Sequence, residues 1–245
     1  MIACLPMYDR DALRGATDAL WGAIAAECRA RDIAAPSELS RHDDYVNLWA
    51  HPDLLIGMTC GKPYRDGLYE TASLIGTFDY ALEGCPAGFY NSHIVVRADS
   101  SHGQLSDLKG LRFAFNGRNS ESGYSCIDRM VDGIDRFAGP IIISGAHQVS
   151  AEMVVDGRAD FAAIDAATWR YIAAEDAALA AQIRIVTSTP PVGGLPLITR
   201  QPELVPNLYA AVAAALHVAR DAADVLGIRG VLKIDHEIYM QLKGG

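Results

Sequence analysis

The sequence predicts an α/β fold built on mainly parallel sheets. Short apolar strand segments alternate with amphipathic helical stretches, half of the residues are apolar, and polar loops recur directly after the strands, where sheets of this kind hold their ligands. At 245 residues the chain suits one large domain or two intimate lobes.

The pattern opens with an apolar strand over Ile2–Leu5 and a loop at 6–10, followed by Leu13, Ala16, Leu20, Trp21, Ile24 and Cys28 at helical spacing. Leu54–Met58 is a second strand, ending in the polar loop Thr59-Cys60-Gly61-Lys62-Pro63-Tyr64, and Ser73–Phe78 and His93–Val96 are two more. Arg112–Phe115 leads into a helix carrying Tyr124, Ile127, Met130, Val131 and Ile134, which Gly139-Pro140 ends. Ile141–Ser144 is the next strand, then a short helix over 149–155 stopped by Gly157, then Phe161–Ile164 feeding a helix with Trp169 and Ile172. Arg184–Thr187 and Leu195–Ile198 complete the strands. An alanine-rich helix with Leu204, Leu208, Val212 and Leu216, and Gly227 past its end, closes the chain.

Charge and composition narrow the function. There are 21 basic against 30 acidic residues, a net charge of −9, and no basic run, which argues against nucleic acid as a partner. The longest apolar stretch, Leu208–Leu216, is far shorter than the roughly 18–20 residues a bilayer requires, so no membrane insertion is expected. The N-terminus lacks a basic start and an apolar leader, which points to the cytoplasm as the sequence is written, or to the periplasm if a leader has been removed. The five cysteines form no C-x-x-C pair and the seven histidines no metal-ligand spacing. Reduced thiols and no metal or cofactor are therefore expected.

The loop after Arg112–Phe115 carries the densest functional signal. Asn116, Asn119, Ser120 and Ser122 crowd donors and acceptors into one turn, and Gly117 and Gly123 allow close backbone approach. A plain capped helix needs one such residue, whereas this loop has four. Tyr8, Cys60, His147 and Asp165 also follow predicted strands, and all these loops are expected to converge on one crevice. Tyr8 and Tyr64 could stack on a ligand or simply pack. Cys60 could line the cleft or sit as a small buried hydrophobe. His147 could meet the ligand or bond to backbone, and Asp165 could do the same or cap the helix starting at Ala166.

The segments Leu-Ser-Asp-Leu-Lys-Gly-Leu-Arg-Phe-Ala-Phe (105–115), Asn-Ser-Glu-Ser-Gly-Tyr (119–124), Ser-Gly-Ala-His (144–147) and Val-Val-Asp-Gly-Arg-Ala-Asp-Phe-Ala-Ala-Ile-Asp (154–165) resemble the type II periplasmic substrate-binding proteins, in the phosphate/phosphite/phosphonate-binding branch of ABC-transporter binding proteins. The resemblance covers about residues 90–190 and implies two α/β lobes, 1–90 plus 190–245 and 91–189. Crossovers near 89–92 and 188–193 would act as hinges around a ligand cleft. By position, Ser120 and Ser122 match the serines that hold phosphonyl oxygens, and His147 and Asp165 match further contacts from the same lobe. The chain departs from the family at Glu121, usually a small hydroxylated residue, and in the segment 37–45 of the first lobe. A cleft-facing Glu121 would repel a dianion and favour a neutral, zwitterionic or cationic ligand. An outward-facing one would leave phosphonate binding intact.

Two functions follow. One is a solute-binding protein that closes by hinge motion over a small polar or anionic ligand and serves an ABC permease. The other is a cytosolic enzyme on the same fold, a small lyase resembling those of menaquinone biosynthesis, with His147 as general base and Cys60 assisting.

Overall fold

The computed structural model describes residues 1–41 and 44–242. His42 and Asp43, within the divergent segment 37–45, and residues 243–245, at the end of the first expected lobe, lie outside the described residues. The described strands are β1 (Ile2–Cys4), β2 (Leu54–Met58), β3 (Ser73–Asp79), β4 (Phe89–Tyr90), β5 (Ser92–Arg97), β6 (Phe113–Phe115), β7 (Ile141–Ile143), β8 (Phe161–Asp165), β9 (Ile183–Ser188), β10 (Val192–Gly193), β11 (Pro196–Thr199) and β12 (Gly230–Leu232). They belong to two units. One combines Met1–Phe89 with Gly193–Gln241, and the other is centred on the continuous stretch Tyr90–Val192.

The first unit holds a five-stranded sheet in the order β1-β2-β11-β3-β12. β1 is parallel to β2, whereas β11 is antiparallel to both β2 and β3, and β12 is antiparallel to β3. The helix Val205–Val218 packs on β3, on β12 and on the helix Arg14–Arg29. Its buried positions Leu208, Ala211, Val212, Ala215 and Leu216 form the stripe a 3.6-residue repeat puts on one face, and the alanines let the neighbouring helix approach closely. Leu204 falls outside this helix, in the turn Pro202–Leu204.

The second unit holds the sheet β7-β6-β8-β5-β9. β6 is parallel to β7 and β8, and β5 is antiparallel to β8 and β9. Side chains alternate across this sheet as the two-residue strand period requires. Ile94, Val96, Phe113, Phe115, Phe161 and Ala163 bury one face with Leu108, Cys126, Ile127 and Ile134. Val95, Ala114, Ala162 and Ile164 bury the other with Ala151, Val154 and Ile172. With both faces covered, the strands read as unbroken apolar runs.

Both sheets are therefore mixed, and parallel pairing is confined to β1–β2 and β7–β6–β8. In each of those stretches a helix lies between successive strands, which lets them run parallel. Strands reached without one, such as β5 and β11, enter antiparallel. A further two-stranded sheet pairs β4 with β10. The chain passes from the first unit to the second between Phe89 and Tyr90 and returns between Val192 and Gly193.

The helix expected to run unbroken from Tyr124 to Ile134 is in fact three short pieces. A π-helical turn, Glu121–Ser125, continues into Cys126–Met130, and a separate turn, Ile134–Phe137, follows. Asp132 and Gly133 both take positive φ, 53° and 105°, which ends the first helix, and the Asp128 side chain accepts from the Ile134 N–H at 2.8 Å to start the next.

Phe113 is fully buried, with its ring 4.9 Å from that of Phe161 and 5.5 Å from that of Phe115. Phe113→Ala is expected to destabilise the second unit by about 3–5 kcal/mol, read from its urea unfolding midpoint.

Candidate functional site

β6, β7 and β8 are parallel neighbours, so their carboxyl ends lie along one edge of the second unit's sheet. That edge carries the serine turn after β6, His147 after β7 and Asp165 at the end of β8. Ser144, in the β7 loop, donates to the Phe115 carbonyl at 3.0 Å and lies 2.6 Å from the buried Ser150 hydroxyl, which ties the β6 and β7 loops together.

Ser120 precedes the π turn with extended backbone, and its hydroxyl accepts from the Gly123 N–H at 3.0 Å. Its Oγ is 3.4 Å from Ser122 Oγ, which is 2.9 Å from His147 Nε2. Both serines are 6 % exposed. His147 Nδ1 lies 3.2 Å from the Ala163 carbonyl oxygen. A carbonyl can only accept, so Nδ1 carries the proton and Nε2 is left as an acceptor for the Ser122 hydroxyl. Burial lowers the His147 pKa to about 4, only partly offset by the Ala163 carbonyl, so the ring is neutral at physiological pH.

Gly123 lies hard against the Asn116 side chain. A Cβ there would stand 1.9 Å from Asn116 Oδ1, far inside contact distance. That Asn116 oxygen is buried and makes no hydrogen bond, an unspent polar group beside the serine turn. Asn119, by contrast, is exposed.

Glu121 is 1 % exposed and bonds to Nη2 of Arg129. Of the two alternatives for Glu121, the one that turns it out to solvent does not hold: the carboxylate faces a guanidinium inside the unit. Arg129 is a residue the sequence reading did not single out. Its place eight residues after the carboxylate carried no signal, and the two meet across the π turn Glu121–Ser125.

Asp165 takes the capping role. It is buried, its Oδ1 accepts from the Thr168 N–H at 2.8 Å, and it opens the helix Ala166–Glu175. Cys126 donates its thiol to the Ser122 carbonyl at 2.8 Å, and burial pushes its pKa up to about 12, so it is inert.

In the first unit, β1 and β2 are parallel neighbours, which puts the Tyr8 and Cys60 loops at one edge of that sheet. Tyr8 is buried edge-on against Tyr80, with ring centroids 5.0 Å apart. Cys60 is buried and precedes the helix Gly61–Asp66 without capping it through its side chain. Tyr64 packs among Leu48, Trp49, Leu54 and Tyr239, and its hydroxyl lies 3.0 Å from His236 Nδ1. Burial raises its pKa to about 12. Packing thus accounts for Tyr64.

The sequence profile of a family described as "ABC transporter, phosphonate, periplasmic substrate-binding protein" matches residues 72–239. No curated protein matches the chain. Among solved structures, PhnD1 from Prochlorococcus marinus in complex with methylphosphonate is similar at 15 % identity and a TM-score of 0.75, covering 99 % of this chain and 95 % of that one. XAC2383 from Xanthomonas citri, bound to ATP, is similar at 17 % identity and a TM-score of 0.73, covering 99 % and 94 %. The GluR0 ligand-binding core from Nostoc punctiforme, in complex with L-glutamate, is similar at 14 % identity and a TM-score of 0.63, covering 91 % and 97 %. At these identities the likenesses show the fold.

Two outcomes follow from this geometry. Because His147 is held neutral in the fold but protonates near 6.5 in the unfolded chain, the unfolded state binds more protons below that pH. Stability should be complete above pH 6.5 and fall as pH drops toward 4, by about 2 kcal/mol once the partial exposure of the ring is discounted. His147→Asn should flatten this part of the stability–pH curve measured by urea unfolding. Gly123→Ala should displace Asn116 and lower the melting temperature by several degrees, about 1–3 kcal/mol in stability.

Proposed function

The chain belongs to the periplasmic phosphonate-binding proteins of ABC transporters, with the fold of the type II periplasmic binding proteins, and from that premise we propose that it captures a small phosphonate-like oxyanion at the serine turn and His147. As a substrate-binding protein of that family its activity is solute binding, and a membrane permease would receive the solute. No described helix is long and apolar enough to cross a membrane.

The observation that carries the reading is the chain of contacts from Ser120 through Ser122 to His147 and the Ala163 carbonyl. The Ser122 hydroxyl bonds to Nε2 in the structure. An incoming oxyanion offers a better acceptor, and both serine hydroxyls turn to it. Nε2 then faces an anionic oxygen, and one proton must lie between them. It comes either with a singly protonated phosphonate or from solvent, converting His147 to its cation. Asn116 Oδ1, buried and without a hydrogen-bond partner, can accept from the hydroxyl of a singly protonated phosphonate. Asp165 steadies the edge from beneath by fixing the helix start.

The lyase alternative gains no support from the family. Chemistry also opposes it. A histidine with its pKa lowered to about 4 is a weak base at neutral pH, and its free nitrogen is already engaged by Ser122.

Calorimetric titration with methylphosphonate tests the proposal. The wild type is expected to bind, and Ser122→Ala and His147→Asn should each weaken binding at least tenfold, roughly the loss of one charge-assisted hydrogen bond. Binding above the second ionisation of the phosphonate should take up protons, seen as a heat that varies with the buffer. Failure of the wild type to bind, or variants that bind as tightly as it does, would overturn the reading.

A further inference from the structure

Glu121, in the serine turn, and Arg129, on the helix after it, form an ion pair whose carboxylate is fully buried and whose guanidinium is partly so. Glu121 is 1 % and Arg129 23 % exposed, and Nη2 of Arg129 meets Oε1 of Glu121. Nη1 of Arg129 is buried without a hydrogen-bond partner. The acids nearest in sequence are engaged elsewhere: Asp128 accepts from the Ile134 N–H, and Asp135 pairs with Arg118 and Tyr124.

Burying a carboxylate is costly even when a partly exposed guanidinium meets it, and such pairs are weak contributors to stability. The pair therefore invites a functional account. Glu121 stands between the two serines that the proposed function assigns to the ligand, so a bare carboxylate there would oppose any oxyanion. Arg129 lies on the helix Cys126–Met130, across the π turn that Glu121 opens. Its cation neutralises the carboxylate and ties the first residue of the turn to the helix after it.

We propose that Arg129 is a specificity-determining counter-charge: by holding Glu121 as an internally neutral pair, it lets the serine turn accept a doubly charged oxyanion and keeps Ser120 and Ser122 aimed. This rests on the phosphonate reading of the site. Arg129 touches no ligand and acts through Glu121, so it is a positioning residue. Its signature is a dependence on ligand charge that a merely structural role would not produce.

The test titrates two probes, methylphosphonate and its singly charged monomethyl ester, into wild type and variants. Arg129→Met exposes the ligand to an uncompensated carboxylate and should weaken methylphosphonate at least tenfold while weakening the ester less than about threefold. Arg129→Lys keeps the charge and should preserve the preference. Glu121→Thr/Arg129→Met removes both charges and should recover methylphosphonate to within about threefold of wild type. Should Arg129→Met not fold, as judged by circular dichroism, Glu121→Gln still decides: it leaves the cation unmatched and should favour methylphosphonate over the ester. Equal effects on both probes, or no recovery in the double variant, would overturn the inference while leaving the phosphonate reading intact. A wild type that binds neither probe overturns that reading, and this inference with it.

Discussion

The chemistry of the second unit depends on a single backbone carbonyl. Ala163 sits in the middle of β8, and its oxygen accepts from His147 Nδ1. An imidazole has only two nitrogens, so committing one to the main chain decides the state of the other. Nε2 becomes an acceptor, and the Ser122 proton points at it. Were that carbonyl displaced, the ring could turn over, and the serine hydroxyl would lose its defined direction. A strand in the buried centre of a sheet is a rigid place to anchor such a choice, because its position is fixed by ladders on both sides.

Around this anchor the serine turn breaks several ordinary packing rules at once. It contains a carboxylate removed from water, a glycine with no room for a methyl group, and an asparagine oxygen with no partner. Each is locally unfavourable. The stacked rings of Phe113, Phe115 and Phe161 lie beneath, in a fully buried cluster that also holds Ile127 and Ile134. Local expense over a well-packed floor is the pattern expected where a fold is shaped for binding rather than for stability alone.

The strands were legible because buried sheet positions demand apolar runs. β2 begins and ends where its Leu54–Met58 pattern does, and β8 extends the apolar run Phe161–Ile164 by one residue. The carboxyl-edge placement of Ser122 and His147 was legible for the same reason, since loops after parallel neighbours share an edge. Strand direction was harder to read. β11 carries no mark in its own composition that it inserts antiparallel between β2 and β3, because pairing is decided by the whole sheet. β12 was invisible since Gly230-Val231-Leu232 is too short to show a period. The break at Asp132-Gly133 was masked by apolar residues that kept helical spacing on both sides of it. Glu121 was read from its charge alone, and its partner Arg129 depends on a π turn that no residue spacing announces.

The central position of β11 governs the order in which the polypeptide can assemble as it leaves the ribosome. All strands of the Tyr90–Val192 stretch have emerged before β11 is made, so that unit can complete its sheet while synthesis continues. The other unit has by then only β1, β2 and β3, and without β11 the last two have no ladder between them. Its sheet stays open, with apolar strands unpaired, until residues 196–199 arrive and pair on both sides. For the length of chain between β3 and β11 the nascent protein therefore carries one finished body and one adhesive, incomplete one.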